Sequence, residues 1–168
     1  TDFQQQNVTA REVLFPHLLV LIGVRSVAGF VGSLLGGDGF GSAFGALISS
    51  FVAWMSLVYI FAIVAASLAG TSGGRLSPNL SLRYAAYGLA PVFLVGMFAV
   101  LPFPHVAPVA ELIAMPYAFI VLAHGVVPFL GVDPERAPTV VGKLCGALLI
   151  LWSIMPTLIP AVVRAITT

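Results

Sequence analysis

From Gly39 to Gly74 the sequence reads GFGSAFGALISSFVAWMSLVYIFAIVAASLAGTSGG, 36 residues without a charge between Asp38 and Arg75. A helix needs about 20 mainly apolar residues to cross the hydrocarbon core of a bilayer, so this run holds one span and its flanking turns. The same pattern recurs outward along the chain. Arg83 to Glu111 encloses 27 uncharged residues, Glu111 to Asp133 encloses 21, and Lys143 to Arg164 encloses 20. A further apolar stretch, Val13 to Leu35, is interrupted only by Arg25. The reading is an all-α membrane protein, a bundle of five transmembrane helices near 13–35, 42–69, 82–101, 109–130 and 140–163. These form a single transmembrane domain over residues 1–168.

Composition agrees. The chain is 60% hydrophobic and 8% charged, with a mean hydropathy of +1.09. A soluble chain carries roughly 25% charged residues. Net charge is +1, which gives no basic footprint for nucleic acid. Cys145 is the single cysteine, so neither an intramolecular disulfide nor a cysteine-built metal site is expected.

Gly/Pro breakers separate the spans. They are Gly36-Gly37-Asp38-Gly39, the run Gly70 to Asn79, the turn with Pro102, Pro104 and Pro108, and Asp133 to Pro138. The first span is expected to be retained, not cleaved as a signal, because it has a central arginine and no Ala-x-Ala exit. Residues upstream of Thr1 are an open expectation, since the chain does not open on Met. Lysine and arginine set orientation. Arg11, Arg75, Arg83, Arg136 and Lys143 fall on the side of the N-terminus and Arg164 alone on the other, five against one. The N-terminus is therefore expected in the cytoplasm and the C-terminus outside.

Inside lipid, helices associate through small residues and polar contacts. Gly-x-x-x-Gly occurs at Gly32/Gly36, Gly41/Gly45 and Gly142/Gly146, and Gly29 extends the first into a stripe. These glycines are read as helix-packing faces or as faces for a partner or second copy. The first stripe is the leading choice for a partner face. Aromatic ridges such as Phe40, Phe44, Phe51 and Trp54 suit the same purpose. Pro91, Pro116, Pro128 and Pro156 fall within or near span ends and are read as architectural.

Arg25 is the outlier. It lies about 16 Å into the first span at 1.5 Å per residue, where a cation needs a partner or water. Glu111, at the start of span four, is the acid within reach if spans one and four are neighbours; Asp38 is the one other acid on that side. The pair is read as a buried ion pair or a partner contact. His17 and His124 are polar intramembrane residues, expected to meet in a helix–helix contact if the same two spans touch. Two histidines without a nearby Cys, Asp or Glu make no metal site.

Gly70-Thr71-Ser72-Gly73 is similar to the Gly-x-Ser-Gly of rhomboid proteases, but it opens a polar loop and reads as a turn. No lysine follows the glycines, so it is no phosphate loop, and no His-Glu-x-x-His occurs. The expectation is no enzyme, no metal and no cofactor.

Several elements spread along the chain carry a family resemblance. They are Phe30-Val31-Gly32-Ser33 at the end of span one and Ala69 to Gly74 at the end of span two. Ala86-Tyr87-Gly88-Leu89-Ala90-Pro91 opens span three and Leu101-Pro102 closes it. Tyr117 lies in span four, and the turn Gly131 to Ala137 follows it. In their order and spacing these resemble the Yip domain family, multi-spanning proteins named for interaction with Ypt/Rab small GTPases. The resemblance implies five spans, a cytoplasmic N-terminus, an outward C-terminus and no catalytic residues. It also implies contacts with other integral membrane proteins. The family's acidic Asp-Leu-Tyr-Gly-Pro element does not occur in this sequence, and about a dozen residues precede the first span, which argues against small-GTPase binding. The compact form is similar to prokaryotic members, implying a multi-pass protein of the prokaryotic inner membrane. The expected role is that of a Yip-like protein acting through such contacts, or a small accessory subunit of a larger complex. The alternative is an oligomeric transporter or channel component with Arg25 and Glu111 lining a path.

Overall fold

The computed structural model describes residues 10–74, 77–103 and 105–167. Five helices follow one another: α1 (Ala10–Leu35), α2 (Phe40–Thr71), α3 (Pro78–Val95), α4 (Val106–Leu130) and α5 (Ala137–Thr167), with a 3₁₀ turn, Gly96–Val100, prolonging α3. Each is long and apolar enough to cross a membrane. At 1.5 Å per residue the 32-residue α2 is about 48 Å long. That exceeds the ~30 Å hydrocarbon core, so a bilayer accommodates it by tilt or by letting its ends emerge.

The breakers act where local chemistry places them. Pro78 takes the first helical position of α3, where its missing N–H costs no hydrogen bond. Pro108 does the same within the first turn of α4, so it belongs to the helix and not to the turn before it. Gly131 ends α4 in the left-handed conformation, with φ 63°. After α2, Ser72 N–H and Gly74 N–H both bond to Ala69 O, through Gly73 at φ 79°. Ser72 thus sits in a helix-ending turn.

Helices α2, α3, α4 and α5 close a ring, each packing on the next and α5 returning to α2. Helix α1 lies outside the ring, against α2, α3 and the 3₁₀ turn, and makes no close backbone contact with α4 or α5. The core runs through Leu57 and Phe61 of α2, Leu89 and Phe93 of α3, Leu122 of α4 and Leu144 and Leu148 of α5.

The α3–α4 seam shows how close approach is made without a hydrophobic drive. Leu122 of α4 fills the space that a side chain at Gly88 would take. Reciprocally, the Tyr84 ring of α3 lies 3.0 Å from where a Cβ on Gly125 would stand. Tyr84 Oη then donates to Leu122 O at 3.0 Å, so its buried hydroxyl is satisfied across the seam. At the same end, a Cβ on Gly74 would stand 2.6 Å from Leu130 O, which brings the α2–α3 turn against the end of α4.

Candidate functional site: the buried Arg25–Glu111 cluster

Arg25 leaves α1 ten residues before its end and points into the ring. Between α1 and α4 stands the 3₁₀ turn. Gly96, its first residue, has no side chain to obstruct the gap: a Cβ there would lie 2.5 Å from Arg25 Nε. The arginine passes through that gap. Its Nε donates to Glu111 Oε1 at 2.9 Å, and Nη2 donates to the same oxygen in an ion pair. Trp152 of α5 donates its indole N–H to Glu111 Oε2 at 3.0 Å. Both carboxylate oxygens are therefore engaged.

The second helix supplies the remaining surroundings. The guanidinium carbon lies 3.8 Å from the centroid of the Trp54 ring, a cation–π contact. Nη1 makes a long 3.4 Å hydrogen bond to Ser50 Oγ. Trp54 is held in turn by Phe93 of α3, edge to face at 5.8 Å between centroids. All five spans meet in this cluster. The side chains of Arg25 and Glu111 are 11% and 2% exposed, so bulk water does not solvate them.

Removing two charges from water costs several kcal/mol per ion, and the mutual attraction offsets this only with good geometry and full hydrogen bonding. The cluster meets that condition. Its consequence is specificity: only one register of α1 on the ring places Arg25 at Gly96 and within reach of Glu111. With both carboxylate oxygens engaged, the arrangement locks helices and presents no free base.

Other candidate positions fall elsewhere. His17 is exposed on α1, and the exposed His124 hydrogen-bonds Ile120 O of its own helix at 2.8 Å through Nδ1. The two histidines do not meet, because α1 packs on α2 and α3 and not on α4. No three metal-ligating side chains come together among the described residues.

The glycines divide. Gly32 is buried against the 3₁₀ turn, where a Cβ would overlap Ala99 O and lie 3.2 Å from the carbonyl carbons of Ala99 and Val100. Gly29 faces the Ala99 side chain. The leading candidate for a partner face is thus an internal contact. Gly36 meets carbonyl oxygens of its own helix at 3.4 Å. A Cβ on Gly41, Gly45, Gly142 or Gly146 would meet nothing within 4 Å among the described residues, so no close helix approach within the chain requires glycine there.

Trp54, expected on an outward ridge, is 3% exposed and lies beneath Arg25. Phe40 and Phe44 do stand outward, stacked at 6.1 Å between centroids. Gly96, Ser50 and Trp152 were not singled out by sequence. Gly96 has no Gly-x-x-x-Gly partner, and an indole gives no signal until its neighbour is known. A better signal was available: a buried ion pair needs extra donors, and only two tryptophans exist to supply an indole N–H.

An all-α bundle of five long apolar helices with an ion pair sealed inside it defines a multi-pass integral membrane protein. The sequence matches the family model of the Yip1 domain over residues 2–161. The chain belongs to the Yip1 domain family, whose members are non-enzymatic membrane proteins. No curated protein and no solved structure matches it significantly.

Proposed function

We propose that this protein acts by contact with other integral membrane proteins or with a second copy of itself, as a small accessory subunit of a larger membrane complex. The observation that carries this reading is the division of its surfaces. The buried charged groups are engaged in holding the five helices together. By contrast, a Cβ on Gly41, Gly45, Gly142 or Gly146 would meet nothing within 4 Å among the described residues, and these positions neighbour the outward Phe40 and Phe44 along α2 or lie on α5. In lipid such grooves are filled by acyl chains or by another helix. A photo-crosslinking residue placed at Phe44 or Ile150, both exposed, tests the proposal. The expected product is a discrete adduct with one membrane protein or with a second copy. Adducts with lipid alone overturn it. No observation favours the transporter reading.

The proposed orientation is N-terminus cytoplasmic and C-terminus outside, in a prokaryotic cytoplasmic membrane. The support is the five-to-one count of basic residues. Of the positions involved, Thr1, Arg75 and Thr168 and the side chains of Arg11 and Arg164 lie outside those described. Ser77 is described, so Ser77→Cys in a Cys145→Ser background is the probe. An impermeant thiol reagent should label it only after permeabilisation. Labelling in intact cells reverses the orientation.

A further inference from the structure

At the bundle end formed by the α1–α2 and α3–α4 loops, a cleft of about 390 Å³ opens between the last turns of α1 and the 3₁₀ turn. Its volume lies in the ~300–1,000 Å³ range of small-molecule sites. One side is apolar, formed by Ala99, Leu101, Pro102 and Phe103. The other carries Ser33 and Asp38. Gly29, Gly32 and Gly36 leave the floor as bare backbone.

Asp38 is fixed at the rim. Ser33 Oγ donates to its Oδ2, and its own N–H bonds Ser33 O at 3.1 Å. Among the described residues no cationic side chain lines the cleft; the arginine nearest along α1, Arg25, is engaged by Glu111. A second polar group stands on the same face of α1, outside the cleft lining. Ser26 precedes Gly29 by three residues and Ser33 by seven, which puts all three on one face of α1. Its hydroxyl is buried, the residue being 2% exposed, with no hydrogen-bond partner among the described residues.

We propose that this cleft binds a phospholipid through a primary ammonium headgroup, of the phosphatidylethanolamine class. The level is that of lipid headgroups, since the cleft lies where membrane-spanning helices end. An amphiphile fits its two-sided lining. A lone carboxylate without a neighbouring cation selects positive charge and disfavours an anionic headgroup. A primary ammonium also gives the carboxylate N–H donors, which a trimethylated choline headgroup lacks, and charge-assisted hydrogen bonds are the stronger kind. Lipid is the solvent at this level, present at a concentration that no lysine of another protein matches. The inference is independent of the partner reading above.

The test uses the full chain reconstituted in bilayers of equal phosphatidylethanolamine and phosphatidylcholine with matched acyl chains, followed by native mass spectrometry. Retained lipid should be enriched about tenfold in phosphatidylethanolamine, the selectivity expected of one charge-assisted hydrogen bond. Asp38→Asn should bring the ratio near parity, and Ser33→Ala should lower it less. Mono- and dimethylated phosphatidylethanolamine offered to the unmodified protein should show enrichment falling stepwise as N–H donors are lost. That series stands even if a variant fails to fold. Parity in the unmodified protein, a flat methylation series, or enrichment that survives Asp38→Asn in a folded variant overturns the proposal. So does a zero-length carbodiimide cross-link from Asp38 to a protein amine in place of lipid.

Discussion

Glu111→Leu should be the most damaging single change at the cluster, costing about 3–5 kcal/mol of stability, the usual penalty for breaking a buried pair from one side. It strands Arg25, which cannot shed its charge in a protein, over Trp54 in the bundle interior. It also removes the acceptor of the Trp152 indole. Arg25→Leu should cost less. The carboxyl group left behind keeps its hydrogen bond from Trp152. The double variant should recover much of the loss, because two apolar side chains then replace two charges with no orphan between them. Thermal unfolding in one detergent, followed by helicity, orders the three variants. A double variant whose loss is the sum of the single losses shows that the residues are uncoupled.

Gly32→Ile should prevent α1 from docking, while Gly41→Ile and Gly142→Ile leave the fold intact. The three substitutions are chemically identical, and the difference lies in what each new Cβ meets. At Gly32 it overlaps a backbone carbonyl of the 3₁₀ turn, and backbone gives way far less readily than the tip of a side chain. Overpacking commonly costs 1–3 kcal/mol, and a collision with main chain lies at or above the top of that range. At Gly41 and Gly142 the Cβ meets nothing within 4 Å. Displacing α1 also draws Arg25 away from Glu111, so loss of docking and loss of the ion pair should appear together. Size-exclusion profiles and the unfolding midpoint of the three variants provide the comparison. Equal tolerance of all three places Gly32 on an open face.

The two predictions differ in how much of each was readable beforehand. The five helices were legible because hydrophobic length is a local property. The run from Gly39 to Gly74 must span whatever it packs against, and Gly131 or Pro78 ends or begins a helix by its own backbone chemistry. The demand of Arg25 for an acid was legible too, since so few acids are available in this chain. Which glycines face inward was not. In water a helix shows its buried side by the contrast of apolar and polar faces. In lipid both sides are apolar, so the spacing of Gly32/Gly36 and of Gly142/Gly146 reads the same, although a Cβ at Gly32 would strike the 3₁₀ turn and one at Gly142 or Gly146 would meet nothing within 4 Å among the described residues. The sequence by itself determined the number of spans, their turns and the need for a buried counter-charge. Only the tertiary structure decided that α1 lies outside a ring of four, that Gly96 opens the gap to Glu111, and that Trp54 and Trp152 turn inward. Those choices depend on side-chain shape across helix pairs distant in sequence, and no local pattern encodes that shape.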